Sequence, residues 1–571
     1  MRNPTASLAT AIGALILAGC APVIAPETSY DPRELRFSGD QALSMEADFV
    51  ARFPDRDSGQ PNNRRAADWL AERLNQAGLE CRVDSWEFTN YSRVVPLNNV
   101  VCLLPGSSDR EIVLTSHHDQ APTTTQGADN DGSGVAIMVH LAEILASEGT
   151  PHYSIVFLFA DAEEYGNGGT RRYLETHGDA KRIVASISLD NLGKRFYTGL
   201  DMDPRGQFRG YGPIWLQRVA QEAARAAGDV WVPVIRPVVV QVLEQAVPIA
   251  FMDEGPFVAR GMAAFGFAGI CSPDFSQECD ETYHTPLDTM EYQSAGSLGQ
   301  SGRATEALVR QLMEMEDFPE STGPYIYFDR SRAQLSGLPL ALLTLVPVLG
   351  FLACAFLIDR RRLAAKVHSW QTALPHYLSL FLPLVASVLL LYAMVEAGLL
   401  DKFAYYFATS KDPAWTSPRW PAILIYSVLL GLMIAAARRL AGRISSLGGL
   451  ASHATRRSLA FLAIGLASVF VFATNPFSLL FTLPLFSWLW IRGRRGAAYG
   501  LDVLFFLVGG MLIFVLIYFF GFVILHTGLY VLWYLLMMFA IRMISPAGAA
   551  AIAAILAAGL SLVVRPHSSE A

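Results

Sequence analysis

Apolar positions along this chain follow two unlike rhythms. Up to about Ser331 they come in short runs, Ile112 to Thr115, Ile155 to Phe159, Ile183 to Ile187 and Ala263 to Ala268, each the length of a buried strand. Between the runs lie stretches with helical spacing. Residues 62 to 77 carry Ala66, Leu70, Leu74 and Ala77 on one face and stop at Gly78, which reads as a glycine cap. Gly134 to Ser147 repeats the pattern through Val135, Met138, Leu141, Ala142 and Leu145. Strand-like runs alternating with amphipathic helices predict an α/β fold, a mixed, mostly parallel sheet flanked by helices.

The second rhythm begins at Gly337, where apolar stretches become long enough to cross a bilayer. They predict an all-α multi-span domain of about eight helices over 337–565, with spans near 337–358, 373–399, 421–437, 459–473, 476–491, 502–526, 528–541 and 546–564. Alternate loops are basic: Arg360, Arg361, Arg362 and Lys366; Arg438, Arg439, Arg443, Arg456 and Arg457; Arg492, Arg494 and Arg495. Basic loops face the cytoplasm, and tracing backwards places residues before Gly337 on the other side. Ionisable residues within the spans are scarce, with Glu396, His526 and Arg542 near predicted ends, so the membrane half reads as an anchor or scaffold before a proton-coupled transporter.

The first residues agree with export. Arg2 precedes an apolar run from Leu8 to Ala18, and residues 1–24 read as a signal peptide or signal anchor. Leu17-Ala18-Gly19-Cys20 resembles a bacterial lipoprotein cleavage box, which would leave Cys20 lipidated; in an uncleaved anchor Cys20 is only a small apolar residue. The expected domains are therefore 1–24, a soluble domain over 30–320, a linker over 321–336 and the membrane domain. The bacterial inner membrane, with the soluble domain in the periplasm, is the expected location.

Composition sharpens this picture. The 571 residues are 52% hydrophobic and only 17% charged, too apolar for an all-soluble protein, and the net charge of −7 averages two unlike halves. No basic, aromatic-studded stretch points to nucleic acid. Cys81 and Cys102 fall in adjacent strand-like runs, and Cys271 and Cys279 bracket a short loop. An exported domain would oxidise either pair, while reduced buried thiols suit Cys81 and Cys102 equally.

The candidate chemistry lies in five acid and histidine clusters: TSHHDQ at 115–120, GADNDGSG at 127–134, DAEEYG at 161–166, SLDN at 188–191 and YHTPLD at 283–288. All but the glycine-rich second stand at or after a strand-like run, which would carry them along one sheet edge. Zinc takes imidazole nitrogen and carboxylate oxygen, and His117, Glu164, Asp190 and His284 offer two of each. An acid from the 129–131 loop would bridge two metals. Glu163 would act as general base, and Asp119 and Asp288 lie where they would orient His117 and His284. His118 should point away from His117 by strand alternation. Asp253 reads equally as an acid near the site or as a helix cap.

In order, these clusters resemble the M28 zinc aminopeptidases over roughly residues 40–315. The layout of an exported domain followed by many spans resembles the branch of endoplasmic-reticulum metallopeptidases and vacuolar membrane proteases. The resemblance implies a zinc-exopeptidase-like fold, peptide substrates, a membrane-lipid environment and two zinc ions, with one as the alternative. Metal ligands would be His117, Asn130 or Asp131, Glu164, Asp190 and His284, and the catalytic residues Glu163 and Asp119. The implied activity is hydrolysis of N-terminal residues. A glutaminyl-cyclase-like acyltransferase is an alternative that His117 disfavours, because the related cyclases lack that ligand. A non-catalytic scaffold retaining the fold is another.

One departure stands out. Where the family carries its bridging aspartate, this chain has Asn130 between Asp129 and Asp131. A neutral amide lacks the charge that suits a carboxylate to bridge two cations. The expectation is that the loop shifts so that Asp131 substitutes.

Overall fold

Four parallel strands form the spine of the first half of the chain. The computed structural model describes residues 20–23, 35–90, 93–320, 323–363, 370–400, 418–448, 451–518, 521–522, 528–542 and 544–564. The export segment before Cys20, Lys366, residues 401–417 between the second and third expected spans, and His526 lie outside them. Two compact units meet in sequence at Leu340 and Ala341.

In chain order the strands are β1 (Cys20–Pro22), β2 (Glu80–Asn90), β3 (Arg93–Leu104), β4 (Ser108–His117), β5 (Tyr153–Ala160), β6 (Ile183–Leu189), β7 (Tyr197–Asp203), β8 (Ala264–Cys271), β9 (Tyr325–Phe328) and β10 (Ala333–Ser336). Seven of them build one sheet in the order β2-β3-β5-β4-β6-β8-β7. The sheet is mixed, as expected, but its parallel part is confined to the centre. The β5-β4, β4-β6 and β6-β8 pairs are parallel, and the β2-β3, β3-β5 and β8-β7 pairs are antiparallel.

The apolar runs are nearly continuous because both faces of the sheet are covered. Along β5, Ile155, Phe157 and Phe159 enter the larger core, while Val156 and Leu158 enter the smaller one on the opposite face; Val113 of β4 joins the second pair and its neighbours Ile112 and Leu114 the first. Helices Gly39–Arg52, Pro61–Gln76, Gly134–Ser147, Ile214–Ala227 and Ala295–Met313 supply the larger core. Tyr173 and Leu174 of helix Gly168–Thr176, with Phe257 and Val258 of helix Glu254–Ala259, close the other. The helix at 61–76 follows its expected apolar face, with Ala66, Leu70 and Leu74 fully buried.

Both cysteine pairs form disulfides. Cys81–Cys102 joins facing residues of β2 and β3, and Cys271–Cys279 ties the end of β8 to helix Ser276–Thr282. The stretch expected as a linker carries strands instead: β9 and β10 form an antiparallel hairpin, and β1 adds to its edge with Cys20 opposite Leu335. Val23, Tyr325 and Tyr327 bury against Tyr211 and Ile214, which explains why aromatic residues recur there.

Among the described residues, five helices are long and apolar enough to cross a bilayer: Gly337–Leu357, Trp370–Glu396, Trp420–Ile444, His453–Thr474 and Pro546–Val563. The other three expected spans are shorter or broken. The 476–491 span is a 3₁₀ helix of 15 residues. At a rise of about 2 Å per residue it still reaches about 30 Å, the thickness of a bilayer's hydrocarbon core. The 502–526 span breaks between Gly509 and Met511, and the 528–541 span keeps only a short helix, Val531–Ala540. Two arginines expected in a basic loop are buried and cap chain ends: Arg456 donates to the carbonyls of Ser561 (2.9 Å) and Val564 (3.1 Å), and Arg457 to those of Leu489 (2.5 Å) and Ile491 (3.3 Å).

Candidate metal centre

The carboxyl ends of the parallel strands deliver the site. His117 is the last residue of β4, Asp190 follows β6 directly, and Glu163 and Glu164 follow β5 by three and four residues. His284 arrives later, after β8 and helix Ser276–Thr282. Several residues beside these ligands leave ordinary backbone space: Ala162 (φ 57°), Asn167 (φ 57°), Asn191 (φ 56°) and His284 itself (φ 52°) are left-handed without being glycine. Such conformations cost of order 1–3 kcal/mol each and gather where structure serves a site.

The expected ligands converge. His117 Nε2 lies 3.8 Å from Glu163 Oε2 and 3.9 Å from Asp190 Oδ1, and His284 Nε2 lies 3.0 Å from Glu164 Oε1. Ligand atoms of His117, Glu163 and Glu164, and separately of His117, Asp131 and Asp190, fall within 4.8 Å of one another. Asn130 stands in the middle. Its Oδ1 is 2.8 Å from His117 Nε2, and its Nδ2 is 2.8 Å from Glu164 Oε1 and 2.6 Å from His284 Nε2.

Asp131, the expected substitute, shares one of these groups with His117 and Asp190, but Asn130 and not Asp131 stands between the two histidines. Asp131 turns back on its own segment, Oδ1 accepting from Gly134 N (2.9 Å) and Oδ2 from Ser116 Oγ (2.5 Å) and His117 N (3.2 Å). Position 134 must be glycine for this, since a Cβ there would lie 2.5 Å from both Asp131 oxygens. Asp129 is engaged too: Oδ1 accepts from Gly193 N (2.8 Å), and Oδ2 accepts from Tyr197 OH (2.6 Å) and pairs with Lys194 Nζ (3.3 Å).

The two expected orienting carboxylates differ. Asp119 Oδ1 lies 3.2 Å from His117 Nδ1, and the same side chain accepts from the backbone nitrogens of Glu163 (3.3 Å) and Glu164 (3.4 Å). It therefore fixes imidazole and glutamates to one another. Asp288 does not reach His284. It accepts from the backbone nitrogens of Asp129 (2.8 Å) and Asn130 (3.2 Å), because His284 leads a turn that brings Asp288 beneath the 129–130 loop. The His284 Nδ1 atom has no hydrogen-bond partner among the described residues.

Electrostatics follow from burial. Burial pushes Glu163 well above the usual carboxylate range, with Glu164, Asp190 and Asp253 adding to it against the pull of His117. Burial likewise carries Asp190 to about 7, opposed by His117 and aided by Glu164. Burial alone would lower His117, but the bond to Asp119 and the charges of Glu163, Asp119 and Asp131 outweigh it and raise this ring. Asp119 is held low despite burial, chiefly by His117.

These donors fit a zinc ion. His117 Nδ1 lies 3.2 Å from Asp119 Oδ1, and its Nε2 faces the Asn130 oxygen and carboxylates of Asp190 and Glu163. Carboxylate and amide oxygens converging beside an imidazole nitrogen are the environment a cation needs, and the imidazole and carboxylate set suits zinc. His118 stays out of the cluster. It is buried, neither ring nitrogen has a hydrogen-bond partner among the described residues, and burial lowers it to about 4.

Two supporting residues, Asn167 and Arg56, carried no motif in the sequence. Asn167 Nδ2 donates to Glu163 Oε1 (3.1 Å) while its Oδ1 accepts from Gln207 (2.9 Å). Arg56, fully buried, donates to the carbonyls of His118 (2.9 Å) and Gly127 (2.6 Å), clamping the stretch between His117 and Asn130. Asp253 makes no side-chain cap to its helix; it accepts from Thr170 (2.5 Å) and Thr115 (3.3 Å) beside the site.

Residues 99–309 match the model of peptidase family M28. The aminopeptidase YwaD of Bacillus subtilis is 24% identical over 215 residues, a stretch covering 37% of this chain and 43% of that protein. A vacuolar membrane protease of Candida tropicalis is 25% identical over 180 residues, 29% of this chain and 19% of its own length. The chain thus spans less than two thirds of these curated relatives. Among solved structures, a glutaminyl cyclase from Porphyromonas gingivalis is 20% identical and covers 48% of this chain and 99% of its own at a TM-score of 0.42.

The loop anchoring gives one expectation. Asp288→Ala removes the acceptor for two backbone N–H groups at Asp129 and Asn130 without touching a ligand. Zinc affinity, measured by competition with a chelating dye, should fall by about 10- to 100-fold, as outer partners of metal sites typically show. An unchanged affinity would mean that the loop holds its place without Asp288.

Proposed function

We propose that this chain, whose residues 99–309 form a peptidase family M28 domain, is a membrane-anchored zinc exopeptidase that hydrolyses N-terminal residues from peptides. The observation that carries the reading is the placement of Glu163. Its carboxylate stands 3.8 Å from His117 Nε2, within ligand distance of His117 and Glu164, and is pushed high by burial. A carboxyl tuned upward at such a cluster can take and return a proton near neutral pH.

His117, Asp190, Glu164, His284 and the Asn130 oxygen would hold the metal. A bound zinc would polarise the scissile carbonyl and make water nucleophilic at neutral pH. Glu163 takes the proton from the attacking water at its carboxylate and delivers it to the leaving nitrogen. Asn167 holds one oxygen of Glu163 and leaves the other facing His117, so the base enters in a fixed orientation. Asp119 keeps the His117 ring turned by its Nδ1 edge. Tyr283, stacked on His284 with ring centroids 3.9 Å apart and 44% exposed, borders the open side of the cleft where a substrate side chain would lie.

The apolar helices after Gly337 and the exported character of the first residues support an anchor with the peptidase domain outside the cytoplasm, in the periplasm of a bacterial inner membrane. The two disulfides suit that oxidising side.

Two measurements test this reading. Glu163→Gln should lower kcat by ~10² to 10⁴ while zinc stays bound, because it removes a proton carrier and no required ligand. Retention of more than about a tenth of wild-type turnover would count against the assignment. A reporter that matures only in the cytoplasm, fused after Pro319, should remain silent; a clear signal would reverse the topology.

A further inference from the structure

Asn130 occupies a position from which its side chain reaches both halves of the cluster. On one side is His117 Nε2 at 2.8 Å, with Asp190 Oδ1 3.9 Å from that nitrogen; on the other are Glu164 Oε1 at 2.8 Å and His284 Nε2 at 2.6 Å. A carboxylate there would offer one oxygen to each half. A carboxamide has a single oxygen, and its nitrogen carries two protons and no lone pair for a metal. Whichever way the amide is turned, one half receives an oxygen and the other receives an N–H₂ edge. In this structure the oxygen faces His117 and the nitrogen faces Glu164 and His284.

Neither neighbour makes up the loss. Both oxygens of Asp131 accept hydrogen bonds, from Gly134 N on one and from Ser116 Oγ and His117 N on the other. Both oxygens of Asp129 are taken by Gly193 N, Tyr197 OH and Lys194. Asp288 is spent on the backbone of the loop. A second divalent ion about 3.5–4 Å from the first would meet strong repulsion in a buried site. The group between them would be neutral and would present protons to one of them.

We infer that this centre holds one divalent ion per chain and that Asn130 is the residue that excludes the second. The inference rests on the zinc-peptidase reading and specifies the metal content of that same site. It assigns Asn130 two tasks, one ligand oxygen and one closed half-site. In the closed half Glu164 Oε1 and His284 Nε2 lie 3.0 Å apart and both face the amide nitrogen.

The test is metal stoichiometry of the full-length protein purified in detergent, loaded with excess zinc, dialysed and measured by plasma mass spectrometry. Wild type should retain one zinc per chain. Asn130→Asp, which changes one atom and restores a second oxygen, should retain two. Two zincs in wild type would overturn the inference while leaving the peptidase reading intact, and one zinc in Asn130→Asp would show that the amide is not what excludes the second ion. Zero zinc in wild type would remove both. Asn130→Ala supplies an independent check: loss of its oxygen should drop retention below one zinc per chain, and a full zinc in this variant would show that the amide is no ligand.

Discussion

Carboxylates gathered around one point, nearly all of them buried, are the constraint on which the first half of the chain depends. Asp119, Asp129, Asp131, Glu163, Glu164, Asp190 and Asp288 share a space whose nearby positive groups are Lys194, Arg56 and the two imidazoles. An unpaired buried charge costs several kcal/mol even after relaxation, so each must be neutralised, bonded or placed beside a cation. The fold divides them by these means. Backbone N–H groups satisfy Asp131 and Asp288, Lys194 and Tyr197 hold Asp129, and Asp119 is fixed by His117 and two backbone nitrogens. Glu163, Glu164 and Asp190 are left facing the space between the histidines. That residue of uncompensated charge is what a bound cation would answer, and it is where the chemistry is proposed.

The sheet makes this arrangement affordable in structural terms. Four parallel strands covered on both faces give a rigid platform whose carboxyl ends all open at one edge. Ligands from β4 and β6 sit at or directly after the strand end, where positional freedom is least. The β5 and β8 ligands lie on loops, and there the structure adds restraints: Asn167 and Asp119 on the glutamates, a disulfide and helix Ser276–Thr282 before His284. Loop ligands need such ties because a shift of about 1 Å is enough to spoil catalytic geometry.

Much of this was legible in the chain. Strand ends followed by His117, Glu163, Glu164 and Asp190 could be read from apolar runs that stop abruptly at polar residues, because a strand buried on both faces has no alternation to confuse the reading. Partners across the fold could not. Which side chain of the loop stands between the histidines depends on which one the backbone captures, and Asp131 is captured by Gly134 N three residues on, with Ser116 donating to its other oxygen. Asp288 was misread for a similar reason: proximity in sequence to His284 said nothing of the two N–H groups awaiting it across the site. Asn167 lies only four residues from Glu163 but no motif marks its bond, and Arg56 acts through contacts 62 and 71 positions away that leave no periodic trace. In the membrane half, hydropathy found the long helices but overlooked the break at Gly509–Gly510 and the 3₁₀ path through Pro476–Trp490, where proline, glycine and tight aromatic packing override the apolar count.

The central claim is that the cleft cuts a peptide bond next to a free amino terminus. Its most direct test compares two versions of one short peptide, with a free and with an acetylated N-terminus, incubated with the full-length zinc-loaded protein and followed by mass spectrometry. The account expects release of the first residue, with a gain of one water, from the free peptide only. Equal cleavage of the acetylated peptide, or loss of ammonia from an N-terminal glutamine with every peptide bond left intact, would contradict it.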